Sequence, residues 1–250
     1  FNEEGLWPFL QATDSERETK TTEGIFAPWA FYKKDFQEIG GHDPLYAPQS
    51  KEDSDIFNRF QLNGIKFIQT WEGCVYHMTC RGSRRNTLDK AKNIYEDSPE
   101  WLAQNMRSTR NFIRKWGCMV KHDKYMKPII PSKYDIGFIV KNCTKELLFG
   151  LEPWCSTLYI DEDYTNYITL EQPNTQFNLL DRIKPYDNEK QNNILVEIDG
   201  NNLTQEDAKC LEQLPQILSD SGEIGEFELG NLSITITSLK TYENDLIKIK

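Results

Sequence analysis

Three acids crowd one short stretch of the chain, Glu52-Asp53-Ser54-Asp55, and the apolar Ile56, Phe57 and Phe60 follow at once. That spacing predicts a helix over residues 53–62, ended by Gly64. Asp53 then falls near the helix N-terminus, where the macrodipole and free amides keep a carboxylate ionised. Such a carboxylate can take a proton from a hydroxyl. The plainer reading is that Asp53 or Ser54 caps the helix and the other acids are solvated. Just upstream, Gly40-Gly41-His42-Asp43 adds two glycines, an imidazole and a fourth acid.

Other residue types invite chemistry further along. His77 sits in an apolar stretch, where a single histidine is as a rule a core residue. Cys74, His77 and Cys80 have a zinc-like spacing. On an extended strand the two cysteines share one face and His77 takes the other, and no fourth ligand stands nearby. Arg81-Gly82-Ser83-Arg84-Arg85 is a basic loop. Trp7, Trp29 and Trp71 have faces that could stack on sugar rings, with core packing as the default. Trp29 lies closest in sequence to the Gly-Gly-x-Asp segment. Asp161-Glu162-Asp163 follows an apolar strand and reads as a turn.

The elements that must position these residues fall into two groups. Residues 1–127 begin with a polar loop over 1–24 and a buried strand over 25–31 interrupted by Pro28. A short helix over 33–39 and a loop over 42–50 lead into the acidic helix. Strands are expected over 65–70 and 74–78, then a helix over 86–116 with a wet basic face. Residues 121–131, with Pro128 and Pro131, read as a linker. Residues 128–250 alternate strand and helix and predict a small α/β domain. Its strands are expected over 134–140, 156–160, 194–198 and 232–237, with 246–249 extending the sheet. Its helices are expected over 144–151 with Thr144 as N-cap, over 176–183, and over 204–218 with a Thr204-x-x-Asp207 start.

The order Phe26, Lys34-Asp35-Phe36, Gly40-Gly41, Asp43, Glu52-Asp53, Asp55, Arg59, Gly64 and Val75-Tyr76-His77 resembles the C-terminal half of GT-A glycosyltransferases of family 2. The run from Glu52 to Arg59 looks especially like the β-1,4-galactosyltransferase motif. The expected fold is therefore α/β: the acceptor-side half of a GT-A fold followed by the small α/β domain.

The resemblance implies an inverting, metal-dependent transfer of a sugar from a nucleotide-diphosphate sugar to a glycan or other hydroxyl acceptor. Asp53 would be the general base. Glu52 and Asp43 would bind sugar hydroxyls, Gly41 would allow close backbone approach, and Trp29 would stack. His77 would ligate a divalent metal, Mn2+ or Mg2+. Arg81, Ser83 and Arg84 would cover the diphosphate. Such enzymes place nucleotide-binding units and an Asp-x-Asp metal motif ahead of this half. The expectation is that an N-terminal half precedes it in a longer enzyme or comes from another chain. A non-catalytic scaffold that keeps part of the fold is the second reading.

Bulk properties set outer bounds. The formal net charge of −10 argues against general nucleic-acid binding. Basic residues outnumber acidic ones between 81 and 127, and the reverse holds on either side. No apolar run approaches the ~20 residues of a membrane span. No leader is legible at Phe1-Asn2-Glu3-Glu4. The six cysteines make no compact framework, which predicts reduced thiols and a cytoplasmic setting. For the second part the expectation is an accessory role, homo-oligomerisation or the positioning of an acceptor.

Overall fold

The computed structural model describes residues 3–75 and 97–249. Its larger layer is a mixed six-stranded sheet, so the α/β class holds. The strands are β3 (Ile136–Lys141), β4 (Thr157–Ile160), β5 (Ile183–Pro185), β6 (Ile194–Asp199), β7 (Gly225–Leu229) and β8 (Leu232–Ile236), in the order β5-β4-β3-β6-β8-β7. The first four named run parallel to one another, and β8 and β7 close the far edge antiparallel.

Register explains the patterning. Leu158, Phe138, Val196, Ile234 and Phe227 are successive cross-strand partners. They lie on the face that packs against Leu148 and Leu151 of α6 (Lys145–Leu151) and Leu211, Leu214 and Leu218 of α9 (Gln205–Ser221). The next row, Tyr159, Ile139, Glu197, Ser233 and Glu228, faces the other way and turns polar toward the β7 edge. Thr144 caps α6 by accepting from the Leu147 amide. Thr204 and Asp207 form a reciprocal capping box at α9.

The front of the chain folds differently from its sequence pattern. Residues 3–17 are helical, as α1 (Glu3–Ala12) and α2 (Asp14–Arg17), where a loop was expected. The Arg17 guanidinium draws the end of α1 together by donating to the Leu10 carbonyl at 2.6 Å and Thr13 Oγ1 at 3.1 Å. The expected strand over 25–31 has no strand partner among the described residues. Instead its Trp29 packs edge-on against Phe57 at 5.3 Å, and Phe31 tilts onto Phe60. These rings cover α4 (Glu52–Leu62), reached after α3 (Lys33–Glu38). Of the strand expected over 65–70 only β2 (Gln69–Thr70) forms, paired with β1 (Thr21–Thr22).

The long helix α5 (Pro99–Trp116) joins the two groups of elements, and here the expected wet basic face is overturned. Arg110, Arg114 and Lys115 are buried, while the apolar Met106 is 55% exposed. The reason is ion pairing. Arg114 donates to Glu152 from both Nε and Nη2, the latter at 2.6 Å. Arg110 reaches Glu171 at 2.9 Å, and Arg182 reaches Glu152 at 2.7 Å. Glu171 ends α7 (Thr165–Glu171), a helix absent from the sequence expectation. Residues 176–183 are helical only at α8 (Leu179–Arg182) before β5 begins.

The C-terminal segment does not extend the sheet. It makes a 3-10 turn over Glu243–Leu246, and the Ile249 amide donates to the Ile39 carbonyl at 3.3 Å. Leu246 and Ile247 fill gaps in the cores around α5 and α4. Apolar burial against those helices replaces a strand pairing.

Glu152 makes the ion cluster testable. Burial pushes its carboxyl up, but Arg182 and Arg114 overcome that and hold it at about 2 against an ordinary 4.5. A depressed folded value adds stability above the unfolded pKa that is lost as pH falls toward the folded one. The window is therefore about pH 4.5 down to about 2, with roughly 3 kcal/mol at stake. In urea unfolding, Glu152→Gln will be less stable than wild type at neutral pH, and the gap will close across that window. A gap that keeps its size at low pH refutes the assignment.

Candidate functional site

The site begins with a loop that no local propensity selects. Ser50 and Lys51 both hold left-handed backbone, at φ 78° and 73°. Such geometry in non-glycine residues costs about 1–2 kcal/mol each and persists only where surroundings enforce it. The surroundings are α5. Gln104 Nε2 and Ser108 Oγ donate to the Gln49 carbonyl at 2.8 and 3.2 Å, and Arg107 donates to the Ala47 carbonyl at 2.7 Å. Lys51 is the N-cap of α4, and its carbonyl accepts from the Asp55 amide at 2.9 Å. Neither Asp53 nor Ser54 caps the helix, which starts one residue earlier than expected.

Glu52 and Asp53 therefore leave the first turn of α4 beside each other. Both line a cleft of about 500 Å3. Asp53 is exposed. Glu52 is half-buried, and its Oε2 is shut from solvent with no hydrogen-bond partner among the described residues. Burial raises the Glu52 carboxyl above its ordinary value. A backbone amide of the helix start opposes this, and the adjacent Asp53 charge adds to it. One acid thus holds its proton to higher pH while its neighbour meets the solvent, a pairing suited to gripping and deprotonating a hydroxyl.

The cleft has apolar walls. Trp101 comes from α5, Phe26 from the aromatic segment, Met126 from the stretch read as a linker, and Val120 from just before it. That stretch is a tight turn in which Asp123 Oδ1 accepts from the amides of Tyr125 and Lys127. It also brings Lys121 and His122 to the cleft. His122 Nδ1 lies 3.0 Å from the Asp123 carbonyl. Sequence order gave no sign of Trp101, Lys121 or His122, because they stand 48 to 70 positions after Glu52 and Asp53.

The other expected site residues separate. Asp43 caps a 3-10 turn through the Leu45 amide at 2.9 Å and pairs with Lys115 at 2.8 Å. Gly41 is buried at φ 79°, its carbonyl accepts from Arg59 at 2.7 Å, and a Cβ there would press the Phe36 ring at 3.3 Å. Trp29 lines a neighbouring groove of about 790 Å3. Ile25 and Phe26 border both spaces. His77, Arg81, Ser83 and Arg84 lie outside the described residues. Among the described residues no group of three or more His, Cys, Asp or Glu could hold a metal. Asp161 and Asp163 are used within the fold, accepting from the amides of Asn142 and Thr165.

Asp55, the third acid of the cluster, is fully buried. It accepts from Arg59 at 2.7 Å, Lys115 at 2.6 Å, Trp116 Nε1 at 2.9 Å and the Tyr46 hydroxyl at 3.3 Å. Arg59 also holds the carbonyls of Ile39 and Gly41. Asp55 and Arg59 thus brace the Gly-Gly loop against α4.

Removing Asp55 takes the carboxylate from buried Arg59 and leaves buried Lys115 with Asp43 alone. Asp55→Ala will cost about 3–5 kcal/mol in urea unfolding. A loss under about 1 kcal/mol, the size typical of an exposed pair, contradicts this account.

No family model, no curated protein and no solved structure matches this chain.

Proposed function

We propose that the chain carries the acceptor-side part of an inverting glycosyltransferase, with Asp53 as general base. The observation that supports this reading is the pairing of exposed Asp53 with half-buried Glu52 in an aromatic-walled cleft. Saccharides offer what such a cleft takes: hydroxyls for the acids and a C–H face for a ring. The acceptor O–H gives its proton to the Asp53 carboxylate. The acceptor oxygen bonds to the anomeric carbon, and the bond from that carbon to the diphosphate breaks with its electron pair on the phosphate oxygen. Glu52 holds a neighbouring hydroxyl.

The finer parts of the proposal rest on the resemblance alone. They are the GT-A fold, a nucleotide-sugar donor, His77 on a divalent metal, and Arg81, Ser83 and Arg84 on the diphosphate. Within the cleft Trp101 rather than Trp29 takes the stacking role, because Trp101 shares a cavity with the two acids.

With UDP-galactose as donor probe and a panel of monosaccharide acceptors, Asp53→Asn will lower kcat by about 10²- to 10⁴-fold. Trp101→Ala will raise the acceptor KM several-fold with kcat little changed. Transfer that survives Asp53→Asn intact removes the base from this assignment.

A further inference from the structure

Trp101, Gln104, Asn105 and Ser108 form one stripe of α5 at helical spacing. Trp101 lines the cleft. Gln104 and Ser108 hold the Gln49 carbonyl. Asn105 holds the two left-handed residues themselves: its Oδ1 accepts from Ser50 Oγ at 2.8 Å and from Lys51 Nζ at 3.0 Å.

We propose that Asn105 is the positioning residue of the site, fixing through Ser50 and Lys51 the direction in which Glu52 and Asp53 leave α4. The role deepens the base assignment for Asp53 and rests on it for its catalytic consequence. Lys51 precedes the two acids directly, and its carbonyl receives the first amide bond of the helix, from Asp55. A side-chain acceptor that binds both residues holds the backbone that makes this bond. Asn105 uses its oxygen for both bonds, so a carboxylate can replace it and an apolar side chain of similar size cannot. A base displaced by an ångström loses its line to the reacting hydroxyl while the cleft keeps its shape for binding.

The test uses Asn105→Leu and Asn105→Asp in the full chain, with two readouts. The first is hydrogen exchange at the Asp55 amide relative to amides deeper in α4. The second is transfer from UDP-galactose. Asn105→Leu is expected to speed exchange at Asp55 and to lower kcat on the order of 100-fold with KM unchanged. Asn105→Asp is expected to restore both. Should Asn105→Leu fail to fold, Ser50→Ala removes one of the two bonds and is expected to move exchange in the same direction. Unchanged Asp55 exchange in the substituted chain overturns the proposal, as does an equal loss in the Leu and Asp variants. Exchange decides the clamp even where Asp53→Asn leaves transfer untouched, a result that sinks the base assignment alone.

Discussion

The carboxylate of Asp55 is the constraint on which the front of the molecule turns. It is wholly buried, and a buried carboxylate survives only where its charge and lone pairs are met. Four donors meet them, from α4 itself, from the end of α5 and from the turn that carries Tyr46. Each donor fixes something else. Arg59 holds the Gly40-Gly41 loop by two carbonyls, and Lys115 reaches on to Asp43. The axis of α4 and the entry into it are therefore set together.

The same economy of buried charge runs along α5. Its C-terminal turns carry Lys115 toward Asp55 and Asp43, and Arg114 and Arg110 toward Glu152 and Glu171. Hydrophobic contacts alone would let that helix slide or rotate, since apolar packing tolerates many arrangements. Charges that must find named partners do not. The helix that holds the Ser50-Lys51 loop on one stripe is thus tied by another to the turn after α6 and to the end of α7.

Isolating a cleft at the helix start depends on this rigidity. Glu52 and Asp53 sit at the end of α4 that faces α5 and the turn at 121–131. Their neighbour Asp55 points inward and is consumed by structure. Three acids in four positions divide into two that meet a cleft and one that meets the core, because successive helical side chains point some 100° apart.

Much of the second part was legible in the chain itself. Period-2 alternation placed Leu232, Ile234 and Ile236 on one face, and Thr144 and the Thr204-Asp207 pair marked their helix starts. The β7 strand had a readable signal too, Glu226 and Glu228 alternating with Phe227 and Leu229. These features depend on neighbours within a few residues, where sequence spacing and spatial spacing coincide. Around the candidate site, sequence by itself determined the acidic helix start and its two adjacent carboxylates. Only the tertiary structure decided which acid was spent on Arg59 and Lys115, which tryptophan shared the cleft, and what held Ser50 and Lys51 left-handed. Arg59 aside, those outcomes rest on partners 48 to 60 positions away, Trp101, Asn105 and Lys115 among them. Long-range pairing of buried charge leaves no periodic trace along the chain.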